Sequence, residues 1–122
     1  MIHKTSVLCD IIHISNKQKR FKMTTVTIKL APEEFMSDFY FAKNPVSLAK
    51  KNLASYKSVA QINVEMCGRK AADEMFDLTN NPSRQDEREV CYGRGRSLSV
   101  GDIVCVDGVD YLCDKFGWRE VN

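Results

Sequence analysis

The run Asp102-Ile103-Val104-Cys105-Val106-Asp107-Gly108-Val109-Asp110-Tyr111-Leu112-Cys113 reads as a β-hairpin. Two short runs rich in β-branched and aromatic residues flank Asp107-Gly108, a dipeptide that closes a two-residue turn because both positions tolerate positive φ. A turn there sets the register: Val106 faces Val109, Val104 faces Tyr111, and Cys105 faces Asp110. Cys105 and Cys113 then fall on opposite faces and cannot pair within the hairpin. Phe116 to Val121 follows as a third strand, which makes the C-terminal segment an antiparallel meander.

Upstream, Val59 to Met66 alternates Ala60, Ile62, Val64 and Met66 with Gln61, Asn63 and Glu65, the period of a half-buried strand. Thr24 to Leu30 is β-branched and sets Val26, Ile28 and Leu30 on one face. Between these strands, Ala31-Pro32 opens a helical stretch with Phe35, Met36, Phe39 and Tyr40 at helical spacing. Asn44-Pro45 opens a second one, through about Ser55, with Ala49, Leu53 and Tyr56 as its stripe. Arg69 to about Thr79 reads as another helix, with Ala72, Met75, Phe76 and Thr79 along one side, ended by Asn80-Asn81-Pro82. The polar stretch Ser83 to Ser97 reads as a long loop, a feature that in a compact domain is usually functional or mobile. The expected architecture is a single α+β domain over residues 23–122, a small antiparallel sheet covered by two or three helices.

The chain has 122 residues, 43% of them hydrophobic, enough for one modest core without metal or disulfide staples. Its formal charge of +2 is unevenly spread. Residues 1–22 hold Lys4, Lys17, Lys19, Arg20 and Lys22 against Asp10, leaving 13 basic and 15 acidic residues from Met23 onward. A mildly acidic domain is a poor match to a broad nucleic-acid surface, which needs clustered positive charge.

Residues 1–22 read as a flexible basic leader. Asp10 and His13 interrupt its apolar run, so it fails as a secretory signal, and no stretch approaches the ~20 apolar residues of a membrane span. The expected setting is the bacterial cytoplasm, with no membrane partner. A second reading concerns Lys19-Arg20: encoded AAG-AGG, it is a ribosome-binding sequence just upstream of a native start at Met23. The alternative is a real, flexible tail.

The five cysteines, Cys9, Cys67, Cys91, Cys105 and Cys113, show no Cys-x-x-Cys spacing, and both histidines, His3 and His13, lie in the leader. Neither a metal site nor a cofactor is expected, and the cysteines read as reduced thiols. Cys91, with Arg88 and Arg94 nearby, is the one candidate nucleophile, and no His stands beside it. Arg84 and Arg88 alternate with Asp86, Glu87 and Glu89, which reads as a self-paired charged stretch rather than acid/base machinery. Gly93-Arg94-Gly95-Arg96-Ser97 can present guanidinium forks and backbone N–H groups to an anion or a partner's carboxylates. Phe116 and Trp118 share strand parity and, with Tyr111, suit either an aromatic platform or core packing. The candidate partner- or anion-binding residues are therefore Arg84, Arg88, Tyr92, Arg94, Arg96 and Trp118.

From Tyr56 to Val121 the chain resembles the YodL-like group and its phage-encoded relatives. The resemblance rests on Gly95-Arg96-Ser97-Leu98-Ser99-Val100-Gly101-Asp102-Ile103-Val104, then Val106-Asp107-Gly108 and Phe116-Gly117-Trp118. It implies a small accessory protein carried by phages, plasmids or integrative elements, and it implies no catalytic residues; residues 24–55 depart from it. The expectation is a non-enzymatic protein that binds a host protein, inhibiting a bacterial defence in the manner of an anti-CRISPR protein, or a regulatory system. The alternative is a nucleic-acid accessory protein that sets Arg84, Arg88, Arg94 and Arg96 against phosphates.

Overall fold

The protein is described by a computed structural model over residues 7–8 and 23–121. The flexible-leader reading and the start at Met23 fall on residues outside this description, apart from β1 (Val7–Leu8), which pairs antiparallel with Val64 and Asn63. β2 (Thr24–Leu30) leads through a 3-10 turn at Glu33–Phe35 into α1 (Met36–Phe41) and α2 (Pro45–Lys51). A second 3-10 turn, Leu53–Ser55, precedes β3 (Lys57–Val64). Then come α3 (Gly68–Asn80), a 3-10 turn at Pro82–Arg84, and α4 (Gln85–Cys91). The chain closes with β4 (Ile103–Val106), β5 (Val109–Asp114) and β6 (Gly117–Glu120).

The expected α+β architecture holds. The strands form one antiparallel sheet in the order β1-β3-β2-β4-β5-β6. The hairpin register is as read: Val106 with Val109, Val104 with Tyr111, Cys105 with Asp110. Asp107 and Gly108 both adopt positive φ, as the tight turn requires. The β2–β3 ladder shifts register between Ile28 and Lys29, which steps past Val59 and leaves that side chain exposed.

Strand alternation builds two cores, one on each face. Val26, Ile28, Ile62, Val64, Val104 and Val106 point to the face covered by α3, where Ala71, Ala72, Met75 and Leu78 meet them. Ile103 and Leu112 point the other way and pack with Phe39 of α1, Ala49 of α2, Ala31 and Val121. The α2 cap is as its sequence dictates: Asn44 Oδ1 accepts from the Ser47 amide at 3.2 Å, with Pro45 in the first turn.

Ser83 to Ser97 is not a continuous loop, because Pro82–Arg84 and Gln85–Cys91 are helical. Asn81 Oδ1 accepts from the Ser83 amide at 2.9 Å and starts this helical segment. The residue α4 buries is Arg88, which an apolar pattern does not reveal.

Candidate functional site

The arginines expected to face a partner are mostly turned into the protein. Arg96 holds Asp102 with both prongs, Nη1 to Oδ2 at 2.8 Å and Nη2 to Oδ1 at 2.9 Å, and its Nη2 also donates to the Ala31 carbonyl at 2.8 Å. Asp102 is fully buried and accepts two further bonds, from the Ala31 and Ser99 amides, each at 2.8 Å. A buried carboxylate needs such saturation, since its desolvation is otherwise uncompensated. The bonds to Asp102 hold the Arg96 guanidinium above its usual range.

Arg88 is buried as well and donates to carbonyls: Thr79 at 3.2 Å, Gly93 at 2.8 Å and Gly95 at 2.6 Å. Its Nη2 also reaches Ser97 Oγ at 3.2 Å, and its guanidinium lies 5.0 Å from the centroid of the Tyr92 ring. Tyr92 in turn donates its hydroxyl to the Arg96 carbonyl. Arg84 is gripped by Glu87, Glu74 and Asp77 at 2.8, 2.6 and 2.7 Å, and these carboxylates, Glu87 first, raise its pKa. Arg84, Arg88, Tyr92 and Arg96 thus engage polar groups inside the fold, tying together α3, α4 and the chain leading to β4. Only Arg94 stands out, its side chain 86% exposed and 3.6 Å from Glu89.

The same ties account for the phrase Arg96-Ser97-Leu98-Ser99-Val100-Gly101-Asp102. Ser97 Oγ donates to the Thr79 carbonyl at 2.6 Å, the Leu98 amide donates to Thr79 Oγ1 at 3.1 Å, and Leu98 itself is buried. Ser99 to Asp102 is a tight turn closed by the Asp102 amide on the Ser99 carbonyl at 3.0 Å. Gly101 sits at φ +100°, and a Cβ there would stand 2.8 Å from the Phe39 ring, so only glycine allows this turn to close on α1. Tyr56 donates its hydroxyl to the Gly101 carbonyl. The phrase is a clasp that joins β2, α1, α3 and the meander.

The expected aromatic platform divides. Tyr111 is buried and Trp118 packs partly buried on the α3 side, edge-on to Phe76, its Nε1 donating to Asp73 at 2.8 Å. Phe116 lies outside β6 and does not share the strand of Trp118. It occupies the β5–β6 turn and is 97% exposed.

The exposed apolar surface lies elsewhere. Phe41 is 76% exposed and Tyr40 half exposed, their rings 5.1 Å apart and edge-to-face. Met36, Tyr40 and Phe41 face Ser99 and Val100 of the clasp turn across an open groove of about 510 Å³, lined almost wholly by apolar atoms. Lys115, next to Phe116, sets its Nζ 4.7 Å from the centroid of the Tyr40 ring and so brings the β5–β6 turn to the groove's edge. This face was not read from the sequence, although a signal was present. Phe39-Tyr40-Phe41 are consecutive on a helix, where neighbouring side chains diverge by about 100°, so burying Phe39 turns at least one of the other two outward.

A second, polar cleft of about 560 Å³ opens between the end of α3 and α4, beside Asn80, Gln85, Arg88, Glu89 and Arg94. Among the described residues no group of three or more His, Cys, Asp or Glu is placed to hold a metal. Cys67, Cys105 and Cys113 are free thiols, whereas Cys91, expected as a reduced loop thiol, ends α4 and is disulfide-bonded. Burial, then the Asp102 and Asp114 charges, push the Cys113 thiol up to about 12. None of the described helices is long and apolar enough to cross a membrane. Comparison with family models, curated proteins and solved structures finds no match.

Proposed function

We propose that the protein is a non-enzymatic interaction module that docks onto a partner protein through the aromatic face formed by Tyr40, Phe41 and Phe116. The resemblance in its C-terminal half adds the setting: a phage or mobile-element product that engages a host protein of a defence or regulatory system. The observation that carries the docking reading is the exposure of Phe41 and Phe116, at 76% and 97%, on elements joined by the Lys115–Tyr40 contact. Large aromatics left in water on a small domain mark contact surfaces, and Phe and Tyr anchor such interfaces. The nucleic-acid alternative loses support because Arg84, Arg88 and Arg96 spend their donors inside the fold.

Affinity capture from a bacterial lysate tests this reading, with wild-type protein compared with Phe41→Ser, Phe116→Ser and Arg94→Ala. The expected result is a specific host protein retained by wild type and Arg94→Ala and lost with Phe41→Ser, with a weaker salt dependence than multiple phosphate contacts give. Co-purifying nucleic acid that dissociates steeply with salt and is lost with Arg94→Ala overturns it.

A further inference from the structure

Resting on that docking reading, we propose that the groove between α1 and the Ser99–Val100 turn receives one bulky apolar side chain from an acidic partner segment, whose flanking carboxylates meet Lys115 and Lys43. Three observations carry this. The groove is open and bounded by two elements, Met36, Tyr40 and Phe41 on one side and Val100 on the other. At about 510 Å³ it lies within the range of roughly 300–1,000 Å³ typical of sites that enclose a ligand group.

The walls are also pre-set. Gly101 lies against Phe39 with no room for a Cβ, and the buried Asp102 locks the same turn through Ser99, so the spacing between α1 and Val100 exists before anything binds. A preformed slot spares the ordering cost that a mobile one would impose on binding.

Charge selects the partner. The Lys115 ammonium lies over the Tyr40 ring at the groove's edge, and exposed Lys43 follows the end of α1. Among the described residues neither makes an ion pair, whereas Arg84, Arg96 and Arg119 are all paired. Of the nearby acids, Glu33 acts on Arg96 on the clasp side, whereas Asp38 shares a face of α1 with Phe41 and leaves Lys115, over the Tyr40 ring, as the cationic edge. An apolar floor beside the unpaired Lys115 ammonium complements an apolar anchor flanked by Asp or Glu.

The test uses three short synthetic peptides: a single Leu flanked by Glu, the same Leu flanked by Lys, and the Glu-flanked peptide with Ala in place of Leu. Binding is read by backbone amide shifts of the full chain. We expect the Glu-flanked Leu peptide to move the amides of Tyr40, Phe41, Ser99 and Val100 and to bind about tenfold or more tightly than either control. Lys115→Glu reverses the charge preference and Phe41→Ser removes binding, while the amide spectrum elsewhere stays that of the folded protein. Equal binding of all three peptides, shifts confined to other surfaces, no shifts at all, or a groove that responds only to anionic phospholipid vesicles each overturn the acidic-anchor proposal. Those failures are separable from failure of the docking reading, which rests on whether Phe41→Ser abolishes capture from lysate.

Discussion

Asp102 is fully buried and joined to Arg96 through two parallel hydrogen bonds of 2.8 and 2.9 Å. The pair ties the turn before β4 to the end of β2, because the same carboxylate accepts the Ala31 amide while Arg96 donates to the Ala31 carbonyl. Removing one partner strands the other, and breaking a buried pair in this way costs about 3–5 kcal/mol. Asp102→Ala and Arg96→Ala are therefore each expected to lower stability by about that amount, while the double variant loses much less than the sum. Urea unfolding of the four proteins checks it; a loss below about 1 kcal/mol for Asp102→Ala, on the scale of an exposed pair, contradicts the clasp.

Gly101 supports the same turn by its shape. A residue with a side chain at φ +100° carries backbone strain of about 1–3 kcal/mol, and here its Cβ would also press into Phe39 at 2.8 Å. Gly101→Ala is expected to lower the urea midpoint accordingly and to shift the amides of Val100 and Phe39 together. A variant as stable as the parent, with unchanged shifts, shows that the turn relaxes freely and that the groove is not pre-set.

The sheet was legible in the chain, and the arginine cluster was not. Alternation along Val59 to Met66 and the Asp107-Gly108 turn are period-2 signals backed by a turn that admits few alternatives, so strands and hairpin register followed from them. α4 escaped notice because Gln85-Asp86-Glu87-Arg88-Glu89 carries no apolar face; its inward residue is a guanidinium satisfied by carbonyls from Thr79, Gly93 and Gly95, partners distributed along the chain. Charge next to glycine suggested display, whereas the glycine carbonyls are what that charge binds. The aromatic face was hidden for the opposite reason: apolar residues at helical spacing suggest burial, and only packing decides that Phe39 goes in while Phe41 stays out.

Alkaline pH is expected to loosen the fold. The Cys113 thiol has an ordinary value of 9.0 and is pushed up to about 12 by burial first and then by Asp102 and Asp114. The folded state therefore favours the neutral thiol. Its contribution to stability is complete below about 9 and is lost as pH rises through about 12, because the unfolded chain ionises first. Tyr56, raised by burial and by Asp102, acts in the same direction. Urea midpoints measured from neutral to alkaline pH should fall above about 9, and Cys113→Ala should flatten that fall. An unchanged slope in the variant excludes Cys113 as its source. Thiol labelling at neutral pH should modify exposed Cys67 well before buried Cys113.

Arg88 and Arg94 are close in sequence and opposite in consequence. Arg88 is buried and donates to the Thr79, Gly93 and Gly95 carbonyls, and a hydrogen bond from a charged donor contributes about 1.5–3 kcal/mol. Lysine is no substitute, since one ammonium cannot reproduce a planar fork that spans Thr79, Gly93 and Gly95. Arg88→Ala and Arg88→Lys should both destabilise by about 3 kcal/mol or more, with hydrogen-exchange protection lost first across residues 93–98. Arg94, whose side chain is 86% exposed, should change stability by no more than about 0.5 kcal/mol when replaced by Ala. Paired thermal melts and exchange measurements on these variants check both halves. If Arg94→Ala proves as damaging as Arg88→Ala, the two arginines act as one network, and the division between a buried tie at Arg88 and a displayed Arg94 does not hold.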